Sequence, residues 1–277
     1  MSRLEARFEA LRAAGRTALI PYVTAGDPRP EWTVPLMHRL VEAGADIIEL
    51  GVPFSDPMAD GPVIQAAHER ALRHRVSLRG VLGMVAEFRN HDDQTPVVLM
   101  GYQNPMEAMG AEAFAKSAAA SGVDGVLTVD LPPEEGNEIL ESLRASGLDP
   151  IFLVSPTTRE SRIETIARVA GGFVYYVSLK GVTGASTLDI DAVDERLARI
   201  RSHTALPVGV GFGISSPEAA ARVGLIADAV VVGSALVRRI AEHEDDRETL
   251  LDAVGTLVLD MRKAMDAARP AVPGDDQ

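Results

Sequence analysis

The feature that most constrains the fold of this chain is a series of short apolar runs, each followed by a stretch of helical composition. Such runs, rich in β-branched residues, occur at 17–26, 46–52, 96–102, 124–130, 150–155, 173–178, 207–213 and 228–234. A strand that is apolar at nearly every position is typical of a parallel sheet, because both faces of such a sheet are covered. The stretches between the runs are rich in Ala, Leu, Glu and Arg and often end in Gly, as helices commonly do.

Eight strand–helix units in series predict an α/β fold, a (β/α)8 TIM barrel. A doubly wound open sheet is the main alternative, although it seldom uses eight strands in strict alternation. The opening stretch MSRLEARFEALRAAG is amphipathic and predicts an extra N-terminal helix. We therefore expect a single barrel domain over residues 1–268, followed by a disordered tail over residues 269–277.

Composition and charge argue against several classes of function. The chain has 40 acidic and 27 basic residues, which disfavours a nucleic-acid partner because neutralising phosphates requires clustered Lys and Arg. Without cysteine it has no disulfide, thiol nucleophile or thiolate metal site. The six His residues lack metal-ligand spacing, and we expect them on solvated helix faces. With no signal peptide and no apolar stretch of roughly 18 to 20 residues, we expect a cytoplasmic protein without a membrane partner.

The stretch IIELGVPFSDPMADGP, residues 47–62, places a carboxylate inside an apolar run. Strand alternation puts Ile47 and Glu49 on the same face. If that face is the barrel interior, Glu49 projects into the barrel mouth, where barrel enzymes carry their catalytic groups. The alternative is a structural Glu49 paired with a Lys or Arg.

Two further acids follow in the loop after this run. Asp60 precedes a helix predicted over 62–74, in which Pro62 occupies the first turn. Asp60 is then either a catalytic group or a carboxylate that satisfies free N–H groups at the helix start, and the spacing leaves both possibilities open. Asp56 precedes a proline and is predicted to be a turn residue.

Three glycine-containing segments follow the last three predicted strands: GVTG (181–184), GFGIS (211–215) and VGSAL (232–236). Their backbone N–H groups can converge on an anion, with Ser234 opening a helix whose N-terminus faces a phosphate. The alternative is that the glycines only permit tight turns. Their occurrence on adjacent loops favours a phosphate site, and none of them fits the dinucleotide fingerprint.

Taken together, these motifs resemble the tryptophan synthase alpha-chain family. The most specific stretch is IELGVPFSDPMADGP, supported by IPYVTAGDP, NP at 104–105, VDGVLTVDLPPEE, GVTG, GVGFGIS and VVGSAL. The resemblance extends from near the N-terminus to about residue 268. The chain departs from the family pattern at MEAMG (106–110), which borders the surface where the beta chain docks in that family, and at Leu179 and Lys180.

The resemblance implies a lyase of L-tryptophan biosynthesis that needs no cofactor or metal. It would split indole-3-glycerol phosphate into indole and glyceraldehyde 3-phosphate by a retro-aldol reaction, with Glu49 as the proton-transfer group and Asp60 accepting the indole N–H. Tyr102 also lies at a strand end, where an aromatic ring either caps the core or holds a flat substrate. The expected indole contacts are Tyr175, Phe212 and Tyr102, and the expected phosphate contacts are Gly184, Gly213, Gly233 and Ser234.

Segment 179–187 has two glycines, small polar residues and almost nothing apolar to anchor it, which predicts a mobile lid. The resemblance implies that Thr183 closes onto Asp60, and it also implies a protein partner. The partner would be a pyridoxal-phosphate-dependent tryptophan synthase beta chain in an alpha2beta2 assembly. We expect it to dock at Pro53–Met58 and 104–110, because the first loop carries apolar residues of the kind found at interfaces. The alternative is that these side chains pack inward on the loop itself.

Three alternative functions share parts of this pattern. A stand-alone indole-3-glycerol phosphate lyase would supply indole to a specialised pathway and would turn over without a partner. A catalytically idle regulatory subunit would only activate a beta chain, but retention of both acids argues against it. Another phosphate-binding barrel, such as an isomerase, is disfavoured by the 47–62 stretch.

Overall fold

The computed structural model describes residues 2–177, 189–211 and 213–269 of the chain. In this part of the chain, parallel strands close into a barrel in sequential order. The strands are β1 (Ala18–Thr24), β2 (Ile48–Gly51), β3 (Val97–Gly101), β4 (Gly125–Thr128), β5 (Asp149–Val154), β6 (Val174–Val177), β7 (Val208–Gly211) and β8 (Ala229–Val232). The predicted (β/α)8 barrel is confirmed, and every strand overlaps its predicted run.

Helices cover the outside of this barrel and one precedes it. They are α1 (Arg3–Ala13), α2 (Pro30–Glu42), α3 (Pro62–Arg73), α4 (Leu78–Phe88), α5 (Gln103–Met109), α6 (Ala111–Ala120), α7 (Asn137–Ala145), α8 (Glu160–Val169), α9 (Ile190–Arg201), α10 (Pro217–Gly224), α11 (Ser234–Glu242) and α12 (Arg247–Ala268). The extra N-terminal helix α1 is present as predicted. Helix α3 begins at Pro62, whose fixed φ and missing N–H suit a first helical turn.

Apolar side chains fill the barrel interior. The cluster contains Ala18, Ile20, Ile47, Val98, Leu127, Ile151, Phe173, Ala229 and Val231. Helix α1 adds Leu4, Phe8 and Leu11 to the same cluster, with the Phe8 ring 5.8 Å from the Phe173 ring. Helix α1 therefore closes the N-terminal end of the barrel and leaves the C-terminal ends of the strands uncovered by this helix.

A buried ion pair fixes helix α3 against the loop that follows β1. Arg70 donates two hydrogen bonds to Asp27, from Nε to Oδ1 at 2.6 Å and from Nη2 to Oδ2 at 2.8 Å. Asp27 is fully buried, and a bidentate Arg–carboxylate pair of this kind restricts geometry strongly. The helix that follows the acidic loop is thus held in place from its last turn.

Two searches of the described residues complete the outline. Every helix in this part of the chain is too short or too polar to traverse a bilayer. Within the same residues, His, Cys, Asp and Glu side chains form no group of three or more that could hold a metal ion. Helix α12 ends at Ala268, and Arg269 donates a hydrogen bond to the Gly224 carbonyl at 3.1 Å. The rest of the predicted tail lies outside the described residues.

Candidate active site

A cavity of about 550 Å³ opens at the C-terminal ends of the strands. This volume is within the usual range for small-molecule sites. Many of the residues singled out in the sequence meet on its wall, namely Glu49, Asp60, Tyr175, Gly213, Gly233 and Ser234. Barrel enzymes use this end for catalysis, so the cavity is the candidate active site.

One part of the wall is apolar. Met100, Val129, Leu153 and Tyr175 line the cavity and pack on the interior cluster below it. The Tyr175 hydroxyl lies directly over Gly211, where an added Cβ would come within 2.2 Å of the hydroxyl oxygen. A glycine at position 211 is therefore required for Tyr175 to occupy this place, and the predicted contact of Tyr175 with indole stays a prediction.

Glu49 is buried in the barrel mouth, and it has no counter-ion among the described residues. Glu49 is 1% exposed, and its Oε1 has no hydrogen-bond partner in the same part of the chain. Desolvation by burial, with a smaller contribution from the Asp60 charge, raises the pKa of Glu49 to about 8. None of the ion pairs found among the described residues includes Glu49, so this part of the chain gives no support to the alternative of a structural Glu paired with Lys or Arg.

Asp60 is held by side chains rather than by a helix terminus. The Tyr102 hydroxyl donates to Asp60 Oδ2 at 2.7 Å, and the Ala59 N–H donates to the Tyr102 hydroxyl at 3.0 Å. His68 Nε2 lies 3.6 Å from the same Asp60 oxygen. Helix α3 is capped by Gly61 without a side-chain hydrogen bond, so Asp60 does not serve as the carboxylate that satisfies the helix start.

Tyr102 stands behind Asp60 rather than on the cavity wall. Tyr102 is 2% exposed, and it is not among the described residues that line the cavity. Desolvation and its hydrogen bond to Asp60 raise the pKa of Tyr102 well above its ordinary value, which keeps the hydroxyl protonated as a donor. The geometry supports a contact with the acid more directly than the predicted contact with indole.

The expectation that all histidines lie on solvated helix faces is wrong for His68. The residue is 3% exposed because α3 turns this face towards the loop after β2. The buried residues of α3 are Ile64, Ala67, His68 and Ala71, which recur at helical spacing. That periodicity was present in the sequence and marks position 68 as buried.

Tyr22 is a site residue that the sequence analysis missed. It pairs in register with Glu49 on the neighbouring strand and lines the same cavity. Its hydroxyl is 3.1 Å from the Thr24 hydroxyl and sits over Gly51, where a Cβ would approach its oxygen to 2.2 Å. The signal available in the sequence was a tyrosine within the apolar run of β1, the strand next to the one that carries Glu49.

Another part of the cavity offers backbone N–H groups and, among the described residues, the cation of Arg238. Helix α11 begins at Ser234, and its first N–H groups have no partners within the helix. Gly213 has φ of 76°, a conformation that favours glycine. Arg238, one turn along α11, also lines the cavity and was not identified from the sequence. This arrangement suits an anion such as a phosphate.

Several predicted residues lie outside the described residues. They are Phe212, Thr183 and Gly184, together with the predicted lid 179–187 and its Lys180. Their proposed roles remain predictions.

The loop proposed as a partner surface is mixed in character. Pro53 is buried and Phe54 packs inward, which fits the alternative of inward packing, whereas Met58 is 86% exposed. Asp56 is exposed and its carbonyl accepts the Met58 N–H at 2.8 Å, as expected of a turn residue. In α5, which covers most of the second predicted segment, Met106 is buried and Asn104 is exposed.

Comparison with known proteins assigns the family. The model of the tryptophan synthase alpha chain family matches residues 8–266. The tryptophan synthase alpha chain of Thioalkalivibrio sulfidiphilus (strain HL-EbGR7) is 70% identical over 266 residues, covering 96% of this chain and all of the relative. The crystal structure of tryptophan synthase subunit alpha from Legionella pneumophila is 46% identical, with a TM-score of 0.91, and covers 96% of this chain and 99% of that chain.

A third match comes from an assembled enzyme. The tryptophan synthase complex of Pyrococcus furiosus contains a chain that is 40% identical, with a TM-score of 0.79, covering 89% of this chain and 98% of that chain. The barrel, the paired acids at its mouth and the family match agree. The chain belongs to the tryptophan synthase alpha-chain family, whose members cleave indole-3-glycerol phosphate to indole and glyceraldehyde 3-phosphate in tryptophan biosynthesis.

Proposed function

We propose that Glu49 and Asp60 carry out the carbon–carbon cleavage, with Glu49 transferring protons and Asp60 accepting the indole N–H. The observation that carries this assignment is the Glu49 carboxyl, which is buried, unpaired at Oε1 and raised in pKa to about 8. A carboxyl in that state is protonated at neutral pH and can act as a general acid. Asp60, only one loop away, is oriented by the Tyr102 hydroxyl.

The reaction needs a proton donor and then a base. Glu49 delivers its proton to indole C3, which makes the ring an electron-poor indolenine. The resulting carboxylate then takes the proton of the side-chain hydroxyl as the carbonyl forms, the bond from C3 to the side chain breaks, and its electron pair returns to the ring. Asp60 stabilises the positive charge that develops at the ring nitrogen, because a fixed carboxylate in a dry site acts strongly.

The substrate's two ends fit the two kinds of wall. The indole ring lies against Tyr175 and the apolar patch of Met100 and Leu153, and the phosphate meets the N–H groups around Gly233 and Ser234. The resemblance adds Phe212 to the indole contacts, Gly213 and Gly184 to the phosphate contacts, and Thr183 as the lid residue that closes onto Asp60.

Replacing Glu49 with glutamine tests the assignment, because glutamine keeps the shape but cannot exchange the proton. We expect indole release from indole-3-glycerol phosphate to fall at least about 100-fold, the usual scale for a lost acid–base group. Binding of glycerol phosphate and the far-UV circular dichroism spectrum serve as controls and should be unchanged. Near-normal indole release by Glu49→Gln would refute the central role of this carboxyl.

We also propose that the loop Pro53–Met58 and helix α5 dock a pyridoxal-phosphate-dependent tryptophan synthase beta chain in an alpha2beta2 assembly. The exposed Met58 side chain, at 86%, supports a contact surface at the rim of the active site. The related Pyrococcus furiosus structure is a tryptophan synthase complex, and a partner at this rim would receive indole directly.

Sedimentation with the cognate beta chain at micromolar concentration tests the docking surface. We expect a complex with the unchanged chain and a weaker one with Met58→Glu. Leu225→Glu is the matched control, because Leu225 is 52% exposed and follows α10 at the other end of the barrel. If no complex forms with the unchanged chain, the stand-alone lyase becomes the better description.

A further inference from the structure

Two side chains approach the same oxygen of Asp60, and both of them contact Phe54. The Tyr102 hydroxyl donates to Asp60 Oδ2 at 2.7 Å, and His68 Nε2 lies 3.6 Å from it. The Phe54 ring stacks on the Tyr102 ring, with centroids 4.9 Å apart and planes inclined by 23°. The Phe54 N–H donates to His68 Nδ1 at 2.9 Å. One residue of the loop therefore holds both groups that face the acid.

The bond from Phe54 fixes the tautomer of His68. Because Nδ1 accepts a hydrogen bond, the proton of the neutral ring is on Nε2. Nε2 is buried, has no hydrogen-bond partner among the described residues and faces Asp60 Oδ2. A shift of about 0.5 Å would turn this approach into a hydrogen bond of ordinary length.

Helix α3, which carries the His68 imidazole, is itself held in place. His68 belongs to α3, and two residues further along the same helix Arg70 makes its bidentate pair with buried Asp27. Asp60, in contrast, belongs to the loop that precedes α3. The helix is thus the anchored element, and the acid is the one that can adjust to it.

We propose that His68 is a positioning residue for Asp60. Its Nε2–H completes, with the Tyr102 hydroxyl, a pair of donors to Oδ2, which leaves Oδ1 as the oxygen that accepts the substrate's ring N–H. Because Phe54 carries both donors, the position of the loop Pro53–Met58 is transmitted to the carboxylate through them. The inference rests on the proposed role of Asp60 and deepens it by naming the residue that orients the acid.

The competing description is that His68 only fills space under the loop. Three substitutions separate the two. His68→Asn keeps an acceptor near the position of Nδ1 for the Phe54 N–H but cannot reach Asp60. His68→Gln places an amide donor near the position of Nε2, and His68→Leu removes both functions while keeping similar bulk.

Steady-state kinetics of indole release by the full chain should distinguish these variants. We expect His68→Asn and His68→Leu to lower kcat about tenfold with KM nearly unchanged, and His68→Gln to stay within about threefold of the unchanged chain. His38→Leu is the matched control, because His38 is half-buried on α2 with an unpartnered Nε2 and stacks on Phe88 rather than near the acid. It should leave kcat unchanged.

A double-mutant cycle with Asp60→Asn completes the test. If His68 acts through Asp60, His68→Leu should cause little further loss of kcat in the Asp60→Asn background. The proposal is overturned if His68→Asn has normal kcat, or if His68→Leu costs the same factor with and without the Asp60 carboxylate. Failure of the proposed function would look different, because Asp60→Asn alone would then keep near-normal turnover. Melting temperatures identify any variant that fails to fold. If His68→Leu does not fold, the comparison of His68→Asn with His68→Gln still decides the outcome.

Discussion

The two ends of the cavity are built from different groups. At the acid end, the important groups are side chains. The Tyr102 hydroxyl donates a hydrogen bond to Asp60, and burial keeps the Glu49 carboxyl protonated. At the end proposed to bind phosphate, backbone N–H groups at Gly233 and Ser234, where α11 begins, lie beside a single described side-chain cation, Arg238. The chemistry of the acid end therefore depends on which side chains are present, whereas anion binding at the other end depends on the conformation of the backbone.

This difference predicts how each end responds to substitution. A conservative change at the acid end removes a proton or a charge that nothing nearby replaces. A change of side chain at the phosphate end leaves the N–H groups in place unless it disturbs the backbone. The following experiments test this contrast.

The largest effect is expected from Asp60→Asn. Asparagine keeps the size of the side chain but loses the negative charge that stabilises the ring nitrogen, so kcat for indole release should fall about 100-fold. Asp56→Asn is the control, because Asp56 is an exposed carboxylate on the same loop and should leave turnover of the isolated chain within about twofold. Equal effects of the two changes would contradict the special role of Asp60.

Turnover should also fall as the pH rises through about 8. Burial and the Asp60 charge hold the pKa of Glu49 at that value, so its acid form is lost about tenfold per pH unit above it. A profile of kcat/KM from pH 6 to 9.5 reports this ionisation in the free enzyme. A profile that stays flat to pH 9.5 would show that Glu49 does not start the reaction as the acid.

The same ionisation should appear in stability. Between the ordinary Glu pKa of 4.5 and about 8, the folded chain keeps a proton that the unfolded chain has released. The free energy of unfolding therefore decreases with rising pH across this window. Glu49→Gln should remove that part of the slope, so its melting temperature should exceed that of the unchanged chain increasingly towards pH 8.

A smaller effect is expected from adding one methyl group beside the acids. In Gly51→Ala the new Cβ would come 2.2 Å from the Tyr22 hydroxyl oxygen, and we expect a loss of about 1–3 kcal/mol in the free energy of unfolding. Gly61→Ala is the matched control, because nothing lies within 4 Å of its Cβ and its φ is −75°. Urea denaturation measures both, and equal stability of the two variants would contradict close packing around Tyr22.

The smallest effect is expected at the phosphate end. Arg238 is exposed and lines the cavity, so Arg238→Met should raise KM about two- to fivefold at low salt and leave kcat unchanged. Arg239→Met is the control, since Arg239 pairs with Glu242 at 3.4 Å and is not among the described cavity residues. A fall in kcat for Arg238→Met, or equal KM changes in both variants, would contradict this division of roles.

Much of the fold could be predicted because its signals are local. The apolar runs gave the order of the strands, Pro62 marked the start of α3, and alternation along β2 placed Ile47 and Glu49 on the inner face. These inferences depend only on neighbours along the chain. Glu49 lies in β2 and Asp60 in the loop that follows it, so the barrel places both at the cavity, whereas the orientation of Asp60 depends on Tyr102 at the end of β3.

The missed residues depend on contacts between elements distant in sequence. Tyr22 belongs to the site because β1 pairs with β2, and Arg238 because the first turn of α11 borders the cavity. For His68 the helical spacing was visible in the sequence, but its hydrogen-bond partner is the backbone N–H of Phe54, on the loop after β2. The position of a backbone N–H group cannot be predicted from residue identity.

Helix α1 leaves the cavity with one mouth. Apolar side chains fill the barrel interior, and Leu4, Phe8 and Leu11 of α1 cover its N-terminal end. Within the described residues, a product that forms against Leu153 therefore has its exit at the C-terminal ends of the strands, beside the loop that carries the exposed Met58. A macromolecule docked on that loop would control where the product travels, although the packing that closes the other route lies at the far end of the molecule.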